Sequence, residues 1–164
     1  MRIVEALGMA GKGLTREDIC RQTGIASSGS LSRKLRELKR CGFIRSYVPF
    51  GCREKNRLYQ LMDNYTLFYY KFVRSGGGDE HCWENSFNTP RVSAWSGIAF
   101  ERVCLQHIAQ IKLALGISGV STEVNTWQCA PDPEGGIHGS QIDLLIVVRL
   151  RPGHLLRQHL YGQV

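Results

Sequence analysis

The sequence predicts an α+β chain in two parts, and three observations carry that reading. Residues 27–42 form a basic amphipathic helix, preceded by a shorter helix and a glycine turn and followed by two short strands. Residues 92–115 form a strongly apolar helix, again followed by two strands. Between the two patterns, Ser75, Gly76, Gly77 and Gly78 lead into Asp79 and Glu80 and break every periodicity, which marks a loop and a boundary. The charge divides at the same place. Fifteen Lys and Arg stand against six Asp and Glu through residue 75, and six against eight beyond it, so +9 and −2 make up the net +7. Such an asymmetry points the first part at a polyanion and gives the second another task. The expected organisation is 1–62, a connector over 63–91, and 92–164.

A chain of 164 residues, 43% hydrophobic, is long enough to bury a core. The six cysteines, at 20, 41, 52, 82, 104 and 129, include no CxxC pair and no matching histidine spacing. They read as reduced thiols rather than zinc ligands. Nowhere do about 18 apolar residues follow one another, and Arg2 and Glu5 interrupt the only apolar run at the start. A cytoplasmic location without a membrane partner is expected.

Ile3, Val4 and Leu7 have the spacing of a short helix ending at Gly8. The glycines around Lys12 have a superficial likeness to a phosphate-binding loop, but the first glycine is misplaced, Gly13 stands where Ser or Thr must reach magnesium, and no strand precedes it. Nucleotide hydrolysis is therefore not expected. Thr15 with Asp18 three residues later makes a capping box for the next helix, which Thr23 and Gly24 end.

In the helix over 27–42, Leu31, Leu35 and Leu38 share one side and Arg33, Arg36 and Arg40 lie nearly opposite. Ser27 or Ser28 is the expected cap, and Gly42 sits where a left-handed residue is wanted. Residues 43–50 and 57–61 read as strands around a basic tip holding Arg53, Lys55 and Arg57. In the connector, Tyr65, Phe68, Tyr69 and Phe72 fall at helical spacing and are expected in the core, the alternative being exposed rings that stack on bases.

The helix over 92–115 carries Phe100, Val103, Cys104, His107, Ile108 and Ile111 at intervals of three and four, with Glu101 beside that apolar face. Residues 122–128 alternate as a strand does, 131–136 form a loop, and 139–148 form an apolar strand with Asp143 near its start.

Helix, helix, basic helix and β-hairpin in this order resembles the winged helix-turn-helix family over residues 1–62. The resemblance implies DNA binding, with Ser30, Arg33, Lys34, Arg36 and Arg40 in or beside the major groove and Arg53, Lys55 and Arg57 on phosphates. Winged helices also dock proteins, and the +9 charge favours DNA.

The helix with Glu101, followed by strand, loop and a strand with Asp143, resembles the start of a PD-(D/E)XK nuclease-like fold. That resemblance implies Glu101 and Asp143 as the helix and strand acids converging on Mg2+, with Gln141 flanking them. The family's Glu-x-Lys pair has no counterpart here, because neither residue type follows Asp143. Mg2+ therefore enters only if the site is completed from elsewhere, and no cofactor is expected in the chain itself.

The combination, with Trp95, Gly97, Phe100, Glu101, Cys104 and His107 on the helix and 139–146 on the strand, is similar to the C-terminal part of archaeal-type AAA-related P-loop ATPases. This implies an ATPase portion missing upstream, an altered tail from about Val147, and His107 as a packed helix residue. The expected function is a DNA-binding fragment whose second part is a small, incomplete α/β nuclease-like domain without independent catalysis. The alternatives are a metal-dependent nuclease completed by Glu123 or a second subunit, and a transcription regulator with an apolar sensing pocket in its second half.

Overall fold

The computed structural model describes residues 2–74, 81, 83–129, 131, 134 and 138–148. The boundary loop over 75–80, Cys82, parts of the loop over 131–136, and the tail over 149–164 lie outside the described residues. The described chain mixes helix and sheet in the order α1 (Arg2–Ala10), β1 (Leu14–Thr15), α2 (Arg16–Thr23), α3 (Gly29–Arg40), β2 (Ile44–Tyr47), β3 (Leu58–Leu61), α4 (Asn64–Phe68), α5 (Pro90–Gln106), α6 (Ile108–Ala114), β4 (Thr122–Cys129) and β5 (Ser140–Val148). It is an α+β architecture.

The first three helices begin and end largely where their sequence signals stand. Thr15 caps α2 in a reciprocal capping box with Asp18, and Gly24 closes it at φ 69°. Gly42, at φ 74°, turns the chain out of α3. Helix α1 runs past Gly8 to Ala10 and is stopped by Gly11, at φ 65°. Gly8 stays inside the helix for a packing reason: a Cβ there would come within 2.6 Å of the Tyr70 ring. Serine capping of α3 is not observed. Ser28 occupies the N-cap position, but its side chain makes no cap hydrogen bond. Its carbonyl is engaged by Arg16 instead, as described below.

Three strands form an antiparallel sheet in the order β1-β3-β2, with Leu14 opposite Tyr59 and Ile44 opposite Leu61. The two-residue β1 is too short to leave a periodic signal in the sequence. Against the sheet and helices α1 to α3 lies one apolar core: Ile3, Leu7, Leu14, Ile19, Leu31, Leu35, Ile44, Leu61 and Leu67. Leu31 and Leu35 are buried because they project from the apolar side of α3, which leaves its basic side outward.

The connector corrects the expectation of a uniform aromatic core. Phe72 is buried and packs with Phe68, Trp83 and Trp95, whereas Tyr65 and Tyr69 are exposed. The cause is a π-helical turn over Tyr69–Val73, in which the Arg74 N–H donates to the Tyr69 carbonyl at 2.9 Å. The wider turn adds a residue per revolution, rotating Phe72 inward beside Phe68 while Tyr65, Tyr69 and Val73 line up outward.

The second half also departs from its expected packing. Thr89 caps α5 and Pro90 opens it, and the helix breaks at His107, so one long helix becomes two. The apolar face is only partly covered: Cys104, Ile108 and Ile111 are half-buried, but Phe100 is 69% exposed. Val103 is exposed as well, and His107 is an exposed residue of the break whose Nδ1 lies 2.9 Å from the Val103 carbonyl. Among the described residues beyond Phe72, Arg102 alone is buried. The reason is the partner available to α5. The antiparallel ribbon of β4 and β5 offers two strands, and α5 turns a polar edge, carrying Glu101 and Arg102, toward the first half. No helix among the described residues is long and apolar enough to cross a membrane.

Candidate nucleic-acid interface

Burial of Leu31 and Leu35 fixes which way α3 faces. Ser30, Arg33, Lys34, Arg36 and Arg40 are all exposed on it. Arg33 makes one long contact, 3.9 Å to Glu37 one turn on, and its side chain remains 72% exposed. Lys34, Arg36 and Arg40 have no hydrogen bond or ion pair among the described residues. None of these cations is turned into the protein or against the second half. A cation held out in water needs to break no protein contact to meet a phosphate, and it attracts one over a range set by the salt.

The start of α3 is anchored by a residue the sequence did not single out. Arg16, the first residue of α2, donates from Nε to Ser27 Oγ at 2.9 Å, from Nη1 to Ser32 Oγ at 2.8 Å, and from Nη2 to the Ser28 carbonyl at 2.8 Å. This fork joins the two helices and adds a further positive charge at the N-terminal end of α3. The serine cluster was visible in the sequence as capping material. Its use as an acceptor set for Arg16 depends on the angle between two helices, which no local pattern encodes.

The β2-β3 hairpin presents the second set of cations unevenly. Gly51, at φ 80°, turns the chain, and a short 3-10 turn at Glu54–Asn56 forms the tip. Arg53 and Lys55 are exposed there, their side chains without hydrogen bonds or ion pairs among the described residues. Arg57 differs. Its Nη2 donates to Glu54 Oε2 at 2.7 Å and its Nη1 to Ser46 Oγ at 3.3 Å, so its charge is already matched. The hairpin is also braced from behind, where the Phe50 N–H donates to the Thr126 carbonyl of β4 at 2.7 Å.

The two acids of the second half have different surroundings. Glu101 Oε1 accepts from Gln60 Nε2 at 3.1 Å and from Arg45 Nη2 at 3.5 Å, while Oε2 accepts from Arg102 Nη1 at 3.1 Å. Gln60 Oε1 in turn accepts from Arg45 Nε at 2.6 Å. Burial pulls both arginines below the ordinary guanidinium range and Glu101 opposes that shift. Burial likewise pushes the Tyr47 hydroxyl up, against the pull of Arg45, whose guanidinium lies 4.1 Å from the ring centre.

Asp143 is exposed and accepts from Gln141 Nε2. Both oxygens of Glu101 are engaged by N–H donors, and among the described residues no group of three His, Cys, Asp or Glu side chains stands together. Glu123 is exposed and joins no such group. Cys20, Cys41, Cys52 and Cys104 are free thiols. No protein-family model, curated protein or solved structure matches the chain.

Proposed function

We propose that residues 1–62 are a winged helix-turn-helix unit that binds duplex DNA, with α3 as the recognition helix and the β2-β3 hairpin as the wing. The observation that carries this is the outward, largely unmatched row of Arg33, Lys34, Arg36 and Arg40 on a helix held rigid by Leu31, Leu35 and Arg16. The element order and the β1-β3-β2 sheet support the same reading. On it, α3 supplies the groove contacts, while Arg53 and Lys55 supply phosphate contacts that are independent of sequence.

The test is a fluorescence-anisotropy titration of the full chain against random duplex DNA at several salt concentrations. Binding is expected at low salt, weakening steeply as salt rises because counterions are released from the phosphates. Replacing Arg33, Arg36 and Arg40 together by Ala should flatten the salt dependence by about three contacts. Binding that ignores salt, or survives the triple substitution, would overturn the assignment.

The second half, on this reading, is an incomplete nuclease-like unit that braces the wing and performs no catalysis alone. Glu101 supports this, since it serves as the counter-ion of Arg45 and Arg102. Plasmid incubated with magnesium or manganese should stay intact. Cleavage that disappears in Asp143→Ala would instead establish a nuclease.

A further inference from the structure

We propose that the seam between the two halves is a binding site for a small planar heterocycle bearing an anionic group, of which a nucleoside monophosphate is the simplest member. The seam encloses a cavity of about 230 Å³, walled by the loop after α1, by β2 and β3, and by α5, β4 and β5. Pockets for drug-sized ligands run from about 300 Å³ upward. This one suits a single ring system whose substituent extends toward solvent.

Three features of the wall select the ligand's chemistry. Gln128 and Gln141 are paired directly across the β4-β5 ribbon, and both line the cavity, so two primary amides stand side by side. Gln128 offers a donor and an acceptor, and Gln141, with one N–H given to Asp143, keeps its second N–H and its carbonyl, the pattern with which glutamine reads the edge of a base. Tyr47 supplies an aromatic ring in the same wall, one side of it taken by the Arg45 guanidinium and the other able to stack on a heterocycle.

The third feature is charge. Glu101 lies in the wall, but Gln60, Arg45 and Arg102 already occupy its oxygens, so it does not repel an anion as a free carboxylate would. Lys12 lines the cavity and is exposed, and its side chain has no hydrogen bond or ion pair among the described residues, its charge being felt only weakly by Asp18 of α2. Its ammonium is therefore the group left to take the ligand's phosphate, as a charge-assisted hydrogen bond. The cavity is of mixed character and shared by both halves, unlike the apolar pocket within the second half that a conventional sensing domain would have.

The site stands apart from the DNA-binding reading, because none of these residues lies on α3 or at the wing tip. Calorimetric titration of the full chain with adenosine, guanosine, cytidine and uridine monophosphates tests it, with adenosine and inorganic phosphate as comparison ligands. Saturable one-site binding of at least one monophosphate is expected, tighter than either comparison ligand.

Lys12→Ala should weaken binding by about tenfold, the loss of one charged hydrogen bond, and Lys12→Arg should retain most of it. Gln141→Ala should weaken it and alter the preference among bases. Circular dichroism and duplex titration of the same variants should match the parent, which separates loss of this site from misfolding or failure of DNA binding. Absence of saturable binding to all four monophosphates, or affinity untouched by both alanine substitutions, would overturn the proposal. So would inorganic phosphate binding as tightly as the nucleotides.

Discussion

Arg102 Nη2 donates to the carbonyl of Gly11 at 2.8 Å, joining residues 91 positions apart. The same guanidinium donates to the Leu61 carbonyl at 3.2 Å and to the Ile98 carbonyl at 3.0 Å, and it is fully buried. A planar fork with five N–H donors can satisfy acceptors on three elements at once, and burial makes each bond costly to lose. Arg102 thus holds α5 against the α1-β1 loop and the end of β3.

Arg102→Ala is accordingly expected to destabilise the fold by about 3–5 kcal/mol, the range for breaking a buried, hydrogen-bonded charge pair. Arg102→Lys should recover little of this, since an ammonium lacks the planar fork. Urea unfolding of the two variants checks both, and a loss below about 1 kcal/mol for Arg102→Ala would contradict the anchoring role.

Glu101 and Asp143 should separate sharply by stability. Glu101→Gln removes the counter-charge shared by Arg45 and Arg102 and should cost about 2 kcal/mol or more. Asp143→Asn lies at an exposed position and should stay within about 0.5 kcal/mol of the parent. Equal effects would show that Glu101 is not the ion-pair hub that its contacts describe.

At α2, the Thr15 hydroxyl holds the Asp18 carboxyl below the usual carboxylate range, and the Thr15 backbone N–H adds to this. A carboxylate with a depressed folded-state pKa contributes stability above its unfolded value, near 3.9. That contribution is lost as pH falls through the folded value. Asp18→Asn should cost about 1 kcal/mol at neutral pH. Thermal melts of parent and variant should keep a constant gap down to about pH 5 and converge in more acidic buffer.

In the connector, the π turn makes neighbouring aromatics unequal. Phe72→Ala opens a cavity among Phe68, Trp83 and Trp95 and should cost about 3–5 kcal/mol, whereas exposed Tyr65→Ala should change stability by less than about 0.5 kcal/mol. Tryptophan emission, to which Trp83 and Trp95 contribute alongside Trp127, should shift to the red in the first variant only. An uninterrupted α-helix would bring the two costs much closer together.

On the proposed DNA-binding reading, the cations of the β2-β3 hairpin should differ in the salt dependence of duplex binding. Arg53→Ala and Lys55→Ala are each expected to lower the slope by about one phosphate contact. Arg57→Ala should lower it less, because Glu54 and Ser46 already hold that guanidinium. A slope loss for Arg57→Ala as large as the others would mean that its pairing yields to phosphate.

The sequence by itself determined the features that depend on near neighbours. The Thr15-Asp18 capping box, the left-handed exits at Gly24 and Gly42, the buried and basic sides of α3, and the β4 and β5 strands all arise from interactions within a few residues or from a simple period. Tertiary structure alone decided the rest. Arg16 became the tie between α2 and α3, Arg57 was tied across the hairpin to Ser46, and Arg102 became the buried link between the halves. The outward turn of Phe100 belongs with these. Charged and apolar side chains look the same in sequence whether they meet water or a partner. Only folding brings Gly11, Leu61, Gln60 and Arg45 around Glu101 and Arg102, and that closeness makes one helical edge worth more buried than the apolar face beside it.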